Sequence, residues 1–110
     1  MLRLLLIDEG AEALTAFPRH QHEAWMTIVY VQGEGEVAFD HRRVPFAVGT
    51  IVCVPPRTPY AETSQSGFRS LYLATTALFP GAQGVQVFTE RAGRPFHRLA
   101  TVLLEESRQG

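Results

Sequence analysis

The sequence reads as a mainly β chain, a sandwich or barrel of short strands, with one amphipathic α-helix at its C-terminal end. Three observations carry that reading. Runs of β-branched and aromatic residues recur along most of the chain, and such residues suit a pleated, half-buried surface. Glycine, proline and aspartate separate the runs at short intervals, as turns do. Apolar residues at helical spacing stand out in one place, at Phe96, Leu99, Ala100, Leu103 and Leu104. Many short strands need sheet closure to protect their edges, which selects a sandwich or a barrel.

Taken in order, residues 2–7 read as a first strand, ended by a turn at Asp8, Glu9 and Gly10. Residues 14–17 read as a second, stopped by Pro18, and Trp25 leads into the block that organises the chain, residues 27–56. There, residues 27–32 form a strand, and Gly33-Glu34-Gly35 tolerate positive φ and read as the loop of a hairpin. Residues 36–39 return, Asp40-His41 make a second turn, and residues 43–48 alternate Val44, Phe46 and Val48 against Arg43 and Ala47. Gly49-Thr50 turn into residues 51–54, and Pro55-Pro56 stop that strand because proline cannot donate to a ladder. Residues 60–63 and 68–75 read as two strands separated by a turn at Gln65-Ser66-Gly67, and residues 85–88 as a last short one. Pro95 suits a first helical turn, so the helix runs from Pro95 to about Ser107. The expected organisation is a barrel over residues 1–93 and a helical segment over 94–110, within a single domain.

Bulk properties exclude several function classes. A length of 110 residues closes one core and leaves no room for a second module. With 45% hydrophobic and 19% charged residues and no apolar run of the roughly 20 residues that span a bilayer, a cytoplasmic protein with no membrane segment is expected. Asp8-Glu9 cut the N-terminal apolar run too short for a signal peptide. A net charge of -1 supplies no surface for neutralising phosphates, so direct nucleic-acid binding is not expected. The single cysteine, Cys53, lies between valines, which rules out an internal disulfide and points to a buried, inert thiol. There is no Gly-x-Ser-x-Gly elbow, and Gly33-Glu34-Gly35 lacks the third glycine and helix of a dinucleotide site.

His20 and His22 are the strongest chemical signal, because an extended backbone puts both imidazoles on one face. Two ligands do not complete a metal site, and the pair can equally hydrogen-bond an organic effector. Trp25 offers a flat ring for stacking on a sugar or aromatic group, or packs in the core. His41 and His97 fall in a turn and on a helix surface.

With the strands placed, residues 20–60 resemble the paired motifs of the cupin superfamily, small jelly-roll-like β-barrels. His20, His22 and Gly33 fit the first motif, but Met26 or Thr27 stands where it has glutamate. Gly49 and Pro55 fit the second, while Arg57 replaces a glycine and Tyr60 the metal-binding histidine. Within that superfamily, the wording from His20 through Ile28-Val29-Tyr30-Val31-Gln32-Gly33-Glu34-Gly35 to Ile51-Val52-Cys53-Val54-Pro55-Pro56 is similar to the effector-binding and dimerisation domain of AraC-type transcription regulators. The resemblance runs from about Leu14 to Glu106, departing at Asp40-His41 and at Val48-Gly49-Thr50 in turns. It implies a non-catalytic sensor of a small polar metabolite, such as a sugar-like one, that forms a homodimer. DNA would be met only through a helix-turn-helix domain that these residues do not contain.

The resemblance makes Tyr60 an inward-facing pocket residue. Glu62 shares its face, and Arg69 in the following run can fork onto a carboxylate or sugar hydroxyls. The expected ligand-binding set is therefore His20, His22, Trp25, Tyr60, Glu62 and Arg69, with no cofactor; a divalent metal, were one held, would use His20, His22 and Tyr60. Phe96, Leu99, Leu103 and Leu104 are the expected dimerisation residues. The competing expectation is a free-standing metal-dependent cupin enzyme of isomerase or dioxygenase type, which the two replaced ligand positions disfavour.

Overall fold

The computed structural model describes residues 4–9, 14–75 and 84–89. They form eight strands in one curled sheet: β1 Leu4–Glu9, β2 Leu14–His20, β3 Trp25–Gly33, β4 Gly35–Ala38, β5 Arg43–Phe46, β6 Thr50–Val54, β7 Tyr60–Thr75 and β8 Gln86–Thr89. The mainly β expectation holds. The proposed helix and residues 94–110, including Phe96, Leu99, Leu103 and Leu104, lie outside the described residues.

The long strand β7 is the spine, and every pairing it makes is antiparallel. Its upper half lies between β1 and β3, with Leu71 opposite both Glu9 and Val29. Its lower half lies between β2 and β4, with Glu62 opposite both Phe17 and Val37. Beyond β3 and β4, β6 and β5 continue the sheet, and β8 forms the edge against β6.

Two expected turns prove to be bends. β3 and β4 do not pair with each other; they follow one edge of β7 in order, Gly33 opposite Phe68 and Glu36 opposite Thr63. The chain reverses instead at residues 39–42, where the Phe39 N–H donates to the Arg42 carbonyl at 2.7 Å. β5 and β6 then return along the same path, Phe46 opposite Gly35 and Ile51 opposite Val29. Gln65-Ser66-Gly67 likewise bends β7 without ending it, so the two expected strands there are one. Glycine serves a bend as readily as a reversal: Gly33, Gly49 and Gly67 have φ of 82°, 97° and 95°. A Cβ at Gly33 would collide with the Gly67 carbonyl oxygen, and one at Gly35 with that of Thr63. The Ser64 hydroxyl satisfies backbone groups at the bend, accepting from the Gly67 N–H at 2.9 Å and donating to the Glu34 carbonyl at 2.5 Å.

Two smaller corrections concern the N-terminal strands. Asp8 and Glu9 belong to β1, opposite Tyr72 and Leu71, where a turn was expected. β2 runs through Pro18 to His20, because the pairing with β7 shifts register between Phe17 and His20 and so tolerates a residue without an N–H.

The sheet buries both faces. One cluster gathers Met26, Ile28, Tyr30, Val37, Val44, Phe46, Val52, Val54, Tyr60, Phe68 and Ala74 on the concave side of the curl. Tyr30 and Phe46 stack at 3.8 Å with Phe68 edge-on to both, a trio that stabilises by roughly 0.5–1.5 kcal/mol per ring pair beyond area burial. The second cluster, Val29, Ile51, Cys53, Leu71 and Leu73, alternates with the first along β3, β6 and β7 and lies on the opposite face.

Candidate functional site

The end of β2 brings three rings together. His20 is the register partner of Tyr60 at the start of β7, and their ring centroids are 4.4 Å apart. His22, two residues on, meets His20 edge-to-face at 4.9 Å and Tyr60 at 6.1 Å. Phe39, from the reversal between β4 and β5, comes within 6.1 Å of the same tyrosine. The His20 Nδ1 lies 2.7 Å from the Pro18 carbonyl oxygen. A carbonyl only accepts, so Nδ1 donates and a neutral ring presents Nε2 as an acceptor.

Backbone contacts hold this end in place. The Arg57 N–H donates to the His22 carbonyl at 2.7 Å, tying the β6–β7 crossing to the histidine segment. Arg57 does so with φ of 57°, the left-handed conformation that the cupin pattern gives to glycine at this position. Its guanidinium reaches the Glu23 carboxylate at 3.4 Å on the surface.

Beneath the rings lies a buried acid. Glu62, 6% exposed, accepts a hydrogen bond at 2.5 Å from the hydroxyl of fully buried Tyr30. Burial pushes the Glu62 carboxyl above the ordinary range, with the Tyr30 hydrogen bond pulling the other way. Burial raises both tyrosine hydroxyls, reinforced by the nearby carboxylate. Burial lowers the His22 imidazole, and His20 beside it adds to that. The geometry is thus one of hydrogen-bonding groups, imidazole and phenol, over a desolvated carboxyl. Such a set can bind and orient a polar ligand.

Four of the six expected ligand residues, His20, His22, Tyr60 and Glu62, fall in this neighbourhood. Trp25 and Arg69 do not. Strand alternation places Trp25 with Thr27 and Val29, and Arg69 with Leu71 and Leu73, on the face away from Tyr30 and Phe68. Tyr30 and Phe39 are the residues that sequence reasoning did not select. Tyr30 shares a strand face with Ile28 and Met26, a signal that needed only the register of β3 to be decisive.

The residues do not fit a cupin metal centre. Tyr60 stands in place of a histidine and holds its proton firmly, whereas a ligand must give it up. Among the described residues no three His, Cys, Asp or Glu side chains gather closely enough to hold an ion. A separate open hollow of about 280 Å³ at the bend is lined by Glu34, Gly35, Pro45, Phe46, Gln65 and Ser66, none of them part of the ring cluster. No helix among the described residues is long and apolar enough to cross a membrane.

Comparison with solved structures places the fold among cupins. The chain superposes on the protein YhaK from Escherichia coli with a TM-score of 0.64 and 18% identity, covering 80% of this chain and 43% of that one. A cupin superfamily protein from Desulfitobacterium hafniense gives a TM-score of 0.55 at 14% identity, covering 70% and 77%. A cupin-2 domain protein from Shewanella frigidimarina gives 0.52 at 12%, covering 61% and 64%. The chain therefore spans less than half the length of YhaK. A search of curated protein sequences gave no significant match. The family model described as the AraC-like ligand binding domain matches residues 9–109, nearly the full length. With a curled cupin sheet, a ring cluster at its end and that match, the chain belongs to the AraC-like ligand-binding domain family.

Proposed function

We propose that this domain senses a small polar, sugar-like effector at the His20–His22–Tyr60 cluster and reports it to an attached DNA-binding domain. The observation that carries the reading is the meeting of two imidazoles and a buried phenol over the Glu62–Tyr30 pair. Imidazole acceptors and phenol donors match vicinal hydroxyls, and the half-buried Phe39 ring beside Tyr60 supplies an apolar face for a sugar ring. No reaction is part of the proposal: the domain acts by linkage, binding the effector better in one arrangement than in another. It works as a homodimer built around the 94–110 segment, which carries Phe96, Leu99, Leu103 and Leu104. DNA contact belongs to a helix-turn-helix domain outside residues 1–110, in keeping with the net charge of -1.

Isothermal titration with a panel of pentoses and hexoses tests the site. At least one sugar is expected to bind the wild type, and His22→Ala together with Tyr60→Phe to weaken it by about tenfold or more. A sugar that binds both proteins equally would place the effector site elsewhere, and binding by none of the panel would remove the sugar-like assignment.

A further inference from the structure

Glu62 is the one buried acid among the described residues, and its hydrogen-bonding capacity is only partly met. The Tyr30 hydroxyl donates to one of its carboxyl oxygens, and among the described residues nothing else hydrogen-bonds to it. Tyr60, 3% exposed and two residues away on the same face of β7, is in a similar state: its hydroxyl has no hydrogen-bond partner among the described residues. Buried polar groups in folded proteins are paired in the great majority of cases, so two unmet ones in one neighbourhood mark a place where something else binds. The rings over this place, His20, His22 and Phe39, are only half-buried, and rotation of such side chains opens a way in.

What the neighbourhood lacks is positive charge. A buried carboxylate is ordinarily paired with a cation, and the described cations lie elsewhere. Arg19, Arg43 and Arg57 face Asp40, Glu36 and Glu23 at the surface, Arg42 is exposed, and Arg69 is on the opposite face of β7. Burial and the Tyr30 hydrogen bond are what move the Glu62 carboxyl, with no cation beside them. Either protonation state therefore leaves a want. Ionised, Glu62 is a buried charge without a counter-charge; protonated, it carries an O–H donor without an acceptor. A water molecule or a sugar hydroxyl satisfies a hydrogen bond but does not balance a charge. An ammonium group does both. Its charge favours the ionised carboxyl, one N–H donates to the carboxyl oxygen that Tyr30 leaves open, and a second donates to the Tyr60 oxygen.

We propose that the effector carries a protonated amine, seated between the Glu62 carboxylate and the Tyr60 hydroxyl beneath the His20 and His22 rings. Resting on the effector reading above, this narrows the ligand from a sugar-like compound to an amino sugar, which the domain prefers to the matching neutral sugar.

Calorimetric titration in the pH range where the amines are protonated compares matched pairs, D-glucosamine with D-glucose and D-galactosamine with D-galactose, and adds ethanolamine as an amine without a sugar ring. At least one amino sugar is expected to bind wild type about tenfold or more tighter than its neutral partner. Glu62→Gln, with far-UV circular dichroism confirming the sheet, is expected to bring that pair within about threefold. Should this variant fail to fold, Tyr60→Phe keeps the ring and is expected to narrow the same gap by a smaller factor. Equal affinities for both members of each pair overturn the inference and leave the sugar-like reading in place. So does a preference that survives in folded Glu62→Gln, since the amine would then sit elsewhere. If no sugar of either kind binds, the sugar-like reading falls; the amine inference then stands if ethanolamine binds wild type and not Glu62→Gln, and otherwise falls with it.

Discussion

Glu62 and Tyr30 show how a single buried pair can set a pH response. A carboxyl whose folded pKa is raised stabilises the fold fully below the ordinary glutamate range and loses that contribution as pH rises through the raised value. Glu62→Gln keeps an acceptor for the Tyr30 hydroxyl and removes the charge. It is therefore expected to match wild type near pH 4 and to exceed it at pH 8 by roughly 1 kcal/mol or more, the scale of a buried charged group short of partners. Denaturant melts at the two pH values check this, and a variant less stable at pH 8 would contradict it. His22 works in the opposite sense. Its lowered imidazole contributes stability above the ordinary histidine range, lost as pH falls through the folded value. What the sequence showed at this level was the histidine pair, from its one-residue spacing alone. It did not show Tyr30, whose face depends on pairings with β6 and β7 that lie tens of residues away.

Strands β3 to β7 were legible in existence and type because their residues are β-branched and aromatic, and Val44 and Phe46 are buried as their alternation required. Their connections were not. Gly33-Glu34-Gly35 carries the chemistry of a hairpin loop, and nothing local distinguishes a reversal from a bend; the difference lies in the neighbour, Gly67, whose carbonyl lies against Gly33. The same blindness split β7 in two at Ser66. Because Gly33 combines a positive φ with that close approach, Gly33→Ala is expected to destabilise by at least about 2 kcal/mol. Thermal denaturation reads the loss, and a change within half a kcal/mol would mean that the bend yields easily. Placing Arg69 beside Glu62 failed for a related reason: both belong to one bent strand, and odd and even positions face opposite sides.

Because β7 pairs with β1, β2, β3 and β4, no strand group can leave without exposing the others' edges. Unfolding is expected to be one cooperative step, with the fluorescence of half-buried Trp25 and far-UV circular dichroism giving the same midpoint. Two midpoints would show the halves above and below the bend melting apart. The pairings are also remote in sequence, Leu4 lying opposite Thr75, so refolding belongs with the slow, non-local topologies.

The register within each paired run has a consequence for how such a domain tolerates a change of length. One residue inserted within an in-register run, such as residues 26–29, 51–54 or 71–74, would turn the side chains beyond it in that run to the opposite face. At residues 39–42 the chain reverses, and Asp40 and His41 are exposed there, with Asp40 held by nothing stronger than a surface ion pair to Arg19 at 3.0 Å. That tip is where a tag or a fluorophore can be spliced in, beside the ring cluster yet outside the sheet, leaving every strand pairing intact.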